Sequence, residues 1–317
     1  MNFLYEANEA KLWLDSYIQK ALQEEPTPNN RYIDLLEIEQ CSVAEYGEPP
    51  CIRMTQEVGG STEEVMVRVA GILGSKTLPP VHGLRSTKPE HVRYLRQFAR
   101  LTGLGSDTFG EHNNVFKRVH QAFATAPTVD KLDAFDFGQY EKHECIDMHS
   151  RYLTERRFVP SQRHIPFTPD IDPNHALEIA RDTKFIRVED NVVQYTKKIT
   201  QEDGSYHYEP LSPEEFKEGD IVEAVGAFVA FPTATEGEYK MVFCLRTLIM
   251  LTSMFREKSR ALHSTKLELR EPREGRKKKR PKPPTAQALK RSFIQYGRRS
   301  GGGGAAGSMT GDVPMVD

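Results

Sequence analysis

The feature that most constrains this chain is the stretch from residue 218 to 251, EGDIVEAVGAFVAFPTATEGEYKMVFCLRTLIML. It holds two long apolar runs around a polar turn. In the first run Ile221, Val225, Ala227, Val229 and Phe231 share one face, interrupted by Glu223. Val222, Ala224, Phe228 and Ala230 share the other. In the second run Met241, Phe243, Leu245, Ile249 and Leu251 oppose Lys240, Val242, Arg246, Leu248 and Met250. Strands apolar on both faces are usually covered on both, because each exposed apolar face costs free energy in water. The pattern therefore predicts a hairpin in the buried centre of a β-sheet, with acidic residues at its ends.

Upstream, the periodicity changes repeatedly. Residues 7–24 have helical spacing, with Leu12, Leu14, Tyr17, Ile18 and Leu22 near one stripe, and Pro26 and Pro28 stop the helix. Residues 51–73 read as a hairpin: Ile52, Met54 and Val58 precede GGST, and Val65, Val67 and Val69 alternate after it. The rival is a helix starting at Ser61 or Thr62; the valine density favours strand. STKPEHVRYLRQFARLTGLG predicts a helix capped by Thr87, with Pro89 in its first turn, Val92, Leu95, Phe98 and Leu101 as its stripe and Gly103 after its end. FGEHNNVFKRVHQAFATAP predicts another, with Val115, Phe116, Val119 and Phe123 inward, and a short third helix is expected over 129–135. After a proline-rich connector, KFIRVEDNVVQYTKKI reads as two strands around an Asp190-Asn191 turn. The expected class is α+β. A mainly helical region spans 1–160, an antiparallel β region spans 161–255, and a disordered tail spans 256–317.

Charge divides the chain unevenly. Residues 255–299 hold 16 Lys/Arg against 4 Asp/Glu, whereas residues 1–254 hold 27 against 39. Within the tail, GRKKKRPKPP places Arg276, Lys277, Lys278, Lys279, Arg280 and Lys282 in a proline-flanked basic cluster. It resembles a single-cluster nuclear localisation signal, which implies a nuclear import receptor as partner and a nuclear location. The same charges suit nonspecific attachment to nucleic acid. A short apolar set follows at Leu289, Phe293, Ile294 and Tyr296, then a Gly-rich end.

Other chemistries find little in the sequence. GILGSKT lacks the glycine spacing of a phosphate loop, and Pro79-Pro80 stops the helix such a loop requires. HECIDMH offers His143, Cys145 and His149 but no fourth zinc ligand nearby. The cysteines at 41, 51, 145 and 244 form no CxxC pair and read as reduced thiols. No nucleophile elbow, zinc-protease or kinase pattern is present. Catalytic, cofactor and metal residues are therefore all predicted as none. No apolar run reaches the ~18–20 residues of a membrane span, and the N-terminus lacks a secretory pattern, so no membrane partner is expected.

Two resemblances attach to the opening hairpin. The Gly-Asp-Ile-Val-Glu start at 219–223 with the Lys-led strand ending in Leu-Arg at 245–246 is similar to a family of uncharacterised proteins of mushroom-forming fungi, over about residues 185–255. More remotely, the long GDIV strand beside an apolar neighbour resembles OB-fold single-strand-binding proteins. That resemblance implies an OB-like β region with Phe228, Phe231 and Phe243 as stacking candidates beside Lys240 and Arg246. The expected function is a non-enzymatic nuclear binding protein, associated with DNA or chromatin through its tail. The alternatives are a protein-interaction factor whose tail only directs localisation, and an enzyme whose residues converge from distant segments.

Overall fold

A computed structural model describes residues 1, 3–27 and 31–269, with side chains as far as 266. In chain order, helix α1 (Ala7–Ala21) leads to strands β1 (Arg31–Tyr32), β2 (Ser42–Gly47), β3 (Pro50–Val58), β4 (Ser61–Glu64) and β5 (Met66–Thr77). Helix α2 (Pro89–Val92), strand β6 (Arg96–Thr102) and helix α3 (Asp107–Ala124) follow. Then come β7 (Lys131–Leu132), β8 (Gly138–Tyr140), β9 (His143–Arg151) and β10 (Thr154–Glu155). Helix α4 (Ala176–Arg181), β11 (Phe185–Ile186), β12 (Gln194–Thr200), β13 (Tyr206–Pro210), β14 (Ile221–Pro232), β15 (Glu238–Thr252) and α5 (Met254–Leu269) complete it.

The opening hairpin is β14–β15, and it closes a barrel. β14 pairs antiparallel with β5, β5 with β6 and β6 with β9, and β9 returns parallel to β15 at Phe243↔Met148 and Cys244↔His149. Because β14 also pairs with β15, these five strands form a complete circuit. Closure satisfies both backbone edges of each strand, which an open sheet cannot do. Other strands extend from the circuit: β12, parallel to residues 247–250 of β15, with β13 beyond it, and β3, β2 and β4 beside β14, while β10 and β11 form a separate two-stranded sheet.

The barrel interior takes one face of each strand. Val222, Ala224, Phe228 and Ala230 of β14 meet Phe243 and Leu245 of β15, Ile146 and Met148 of β9, and Ala99 and Leu101 of β6, all buried in one core. Helix α3 adds Phe116, whose ring lies 5.0 Å from Phe228 and 5.2 Å from Phe243 between centroids, both edge-on. Ser106 caps this helix by accepting from the Phe109 N–H, which fixes its start beside Gly103, where a Cβ would lie 2.5 Å from the Phe109 side chain.

A bulge breaks the alternation expected of the hairpin. Val225 pairs with Thr247 but Gly226 pairs with Leu245, so Arg246 is the extra residue. The inward set Met241, Phe243, Leu245 consequently continues as Leu248 and Met250, and not as Ile249 and Leu251. Gly226 permits the close approach, since a Cβ there would lie 2.7 Å from the Cys244 carbonyl oxygen.

The interruption at Glu223 is also resolved. Its carboxylate is fully buried on the outer side of β14 under α1, 3.5 Å from Arg68, and it accepts from the Tyr17 hydroxyl at 3.0 Å. Arg68 pairs with Glu24 as well, at 2.6 Å. Burial raises the Glu223 pKa, while the Arg68 charge opposes that rise.

Several expectations are corrected. The region 1–160 is not helix-rich: among its described residues it holds ten strands and three α-helices. The helix predicted over 87–103 is one turn, α2, followed by β6. Gln97, Ala99 and Leu101 point inward while Arg96, Phe98 and Arg100 point out, a period of two that pairing on both edges enforces. The i, i+3 spacing of Val92, Leu95 and Phe98 had imitated a helix. The short helix over 129–135 is replaced by β7, a parallel bridge from Lys131 and Leu132 to Glu238 and Tyr239. Asp190-Asn191 is no hairpin turn: β11 pairs with β10, β12 pairs with β15 and β13, and a 3-10 turn over Glu189–Asn191 lies between. The hairpin expected over 51–73 is met in part: β3 turns at Gly59-Gly60 into β4, but Val67 and Val69 lie on β5, which pairs with β1, β6 and β14 and not with β3. Residues Arg276, Lys277, Lys278, Lys279, Arg280 and Lys282, the apolar set around Phe293 and the Gly-rich end lie outside the described residues.

Candidate nucleic-acid interface

The outer face of β6 and β9, continued onto β15 and β14, concentrates cations and rings. Antiparallel register sets Arg96 opposite Arg151, Phe98 opposite His149 and Arg100 opposite Asp147. Parallel register then sets Cys244 beside His149, and Lys240 faces Phe231 across the β14–β15 ladder. Directly opposed residues on a pleated sheet share a face. Four strands thus present Arg96, Phe98, His149, Arg151, Lys240 and Phe231 on one surface.

The charges on this surface are of two kinds. Arg100 is neutralised by a two-point bridge to Asp147, at 2.6 and 2.7 Å. Gly138 lies over that bridge, where a Cβ would come within 2.9 Å of both partners. In contrast, Arg96, Arg151 and Lys240 make no ion pair among the described residues. The Arg151 guanidinium lies 5.4 Å from the centroid of the Phe231 ring. His149 reports the resulting field. Its pKa is lowered to about 4, first by burial and then by Arg96, Arg151 and Lys240, with Asp147 opposing. It is therefore a neutral ring at neutral pH.

Next to this face is a cleft of about 490 Å³. His149, Arg151 and Phe231 belong to both the face and the cleft. The floor is an ion cluster: Arg246 reaches Glu64 at 3.0 Å and Asp190 at 3.3 Å, and Arg53 reaches Glu64 at 2.8 Å and also bonds Asp190. The bulge aims Arg246 into this cluster. The rim carries Tyr94, 69% exposed, and the segment after β10, where Glu155 joins Arg157 at 2.8 Å and Arg93 at 3.5 Å. The Arg157 guanidinium sits 4.5 Å from the Phe158 ring centroid.

The candidates named from sequence fall unevenly on this geometry. Lys240 and Phe231 meet on the open face. Arg246 lies at the cleft floor, held by carboxylates on both sides. Phe228 and Phe243 are core residues, 0% and 1% exposed, and cannot stack with a ligand. Sequence reasoning passed over Arg96, Phe98 and Arg151 because it read their segment as helix or left it unassigned. The signal was the alternation in Arg96-Gln97-Phe98-Ala99-Arg100, which places three outward residues on a strand. His143, Cys145 and His149 lie along β9, and no three His, Cys, Asp or Glu side chains converge on a metal position among the described residues. No described helix is long and apolar enough to cross a membrane.

No family model matches the chain, and no curated protein matches it. Among solved structures, it has a remote likeness to gp2.5, a single-stranded DNA-binding protein encoded by bacteriophage T7, with 10% identity and a TM-score of 0.31 over 59% of this chain and 86% of that one. A second likeness is to a single-stranded DNA-binding protein from bacteriophage Enc34, with 12% identity and a TM-score of 0.28 over 68% of this chain and 95% of that one.

Proposed function

We propose that this protein binds single-stranded nucleic acid across the outer face of β6, β9 and β15. The observation that carries the reading is the set of uncompensated cations Arg96, Arg151 and Lys240 interleaved with Phe98, His149 and Phe231. Phosphates meet the cations and unpaired bases meet the rings, and bases are free to stack in this way only when unpaired. The strand circuit supports the same reading. Three antiparallel strands are followed by a hairpin whose second strand returns parallel to the third, which is an OB-type arrangement. In such barrels the face of strands 2 and 3, here β6 and β9, with the loops before strand 2 and between strands 4 and 5, takes oligonucleotides. Tyr94 lies in the first of these loops and Thr233 and Ala234 in the second.

The acidic remainder of the body limits duplex coating and confines binding to this face. The tail cluster Arg276–Arg280 with Lys282 adds electrostatic attachment and a nuclear address, both proposed from its composition. The test is fluorescence anisotropy with a labelled oligo-dT and a duplex of equal length, on the full chain and on residues 1–269, across a salt series. The expected result is a strong preference for the single strand, retained in residues 1–269 and weakened by salt. Equal affinity for both, or loss of all binding without the tail, overturns the assignment to the barrel face.

A further inference from the structure

We infer that the cleft beside the barrel face is a single-nucleotide pocket, which seats one nucleotide of the bound strand turned away from its neighbours. The inference rests on the strand-binding reading above and adds a ligand of defined size and chemistry to it. Three observations carry it. The first is placement: His149, Arg151 and Phe231 line both the open face and the cleft, so a strand on the face can drop one residue inward without leaving its cations.

The second is size and closure. The volume of about 490 Å³ lies within the ~300–1,000 Å³ range of small-ligand sites. Much of the wall is not barrel at all. It comes from the connection between β9 and β12, which contributes Thr154, Glu155, Phe158 and Asn191, joined by Pro49 and Pro50. Asn191 is fixed there by bonds to Thr154 and to the Val188 N–H, so this wall is built in place.

The third is chemistry. Five arginines line the cleft, at 53, 93, 151, 157 and 246, against two carboxylates, Glu155 and Asp190. Aromatic surface stands beside them at Tyr94, His149, Phe158 and Phe231. Excess positive charge next to flat apolar surface suits a ligand that is at once an anion and a planar ring, which describes a nucleoside monophosphate unit. Arg53 and Arg246 are engaged by Glu64 and Asp190, so the phosphate is met by Arg151 and by the rim arginines. Glu155 bridges Arg93 and Arg157 from the position an incoming phosphate would share.

Isothermal titration calorimetry of the full chain with dAMP, deoxyadenosine and inorganic phosphate, alongside oligo-dT anisotropy, tests this. Saturable 1:1 binding of dAMP, at least tenfold tighter than either deoxyadenosine or phosphate, is expected. The Tyr94→Ala/Phe158→Ala variant should weaken dAMP at least fivefold with an unchanged melting temperature, and Lys131→Ala, whose charge is already paired with Glu238, should leave dAMP binding unaltered. If oligo-dT binds but dAMP does not, or if phosphate alone binds as well as dAMP, the pocket inference falls and the strand reading stands. If dAMP binds and oligo-dT does not, the strand reading falls, and with it the seating of a strand nucleotide in this cleft. If neither binds, both fall.

Discussion

Removing the three uncompensated cations together, as Arg96→Ala/Arg151→Ala/Lys240→Ala, should change how strand binding responds to salt more than any other property. Each cation that meets a phosphate of a single strand contributes ~0.7 to the slope of log K against log salt. Three such contacts amount to about 2. If the electrostatic contribution vanishes near ~1 M salt, one decade lower the variant should bind roughly 100-fold more weakly, about 2.8 kcal/mol. The folded state should tolerate the change, because none of the three holds an ion pair among the described residues and Arg96, Arg151 and Lys240 are all exposed. Anisotropy of a labelled oligo-dT at several salt concentrations gives the slope directly. Lys131→Ala is the control, since that lysine is already neutralised by Glu238. Parallel salt plots for the triple variant and the wild type would refute the reasoning. A loss of affinity equal at all salt concentrations would do the same, because it would indicate lost packing and not lost phosphate contacts.

Acid should destabilise the fold through His149. Its folded pKa is about 4, below the ordinary value of ~6.5, so between these values the unfolded chain binds the proton and the folded chain does not. The stability associated with its neutral form is full above about 6.5 and is lost as pH falls toward 4, by about 3 kcal/mol; urea midpoints at pH 7 and 4.5 should differ less in His149→Gln than in the wild type. Arg68→Leu should cost about 3–5 kcal/mol, because it leaves Glu223 buried and unpaired, and Arg68→Leu/Glu223→Leu should recover most of that loss in urea denaturation. Phe116→Ala should cost about 3–5 kcal/mol in the same measurement, since its ring fills the space between α3 and the β14–β15 hairpin.

Which features the sequence exposed follows from how far apart their partners lie. The β14–β15 hairpin, the β3–β4 hairpin and helix α3 are local: their hydrophobic period and turn residues sit inside one window, and their contacts confirm the pattern. β6 is not local. Its seven residues pair with β5 on one side and β9 on the other, and the nearer of these is already separated from it by the 78–95 connection. With no turn to mark it, a short strand with Leu95, Phe98 and Leu101 at helical spacing carries a helix signal. The same nonlocality hid Asp190, whose partners are Arg53 and Arg246 and not the strand across a turn.

The sequence by itself determined that residues 221–252 form a doubly apolar hairpin and that the tail is strongly basic while the body is acidic. It also determined that no local motif for phosphate loops, structural zinc or common catalysis is present. Periodicity and composition are properties of the chain, and they survive without knowledge of any partner. Only the tertiary structure decided that the hairpin closes a barrel, because closure depends on β9 meeting β15 at residues nearly a hundred positions apart. Only it separated Lys240 from Arg246, one open and one locked by carboxylates, since identical positive charges differ by what folds beside them. Only it gathered Arg96, Phe98, His149, Arg151 and Phe231 on one surface. Each is unremarkable in its own segment, and the strand register alone puts phosphate-binding charge and base-stacking rings within reach of one ligand.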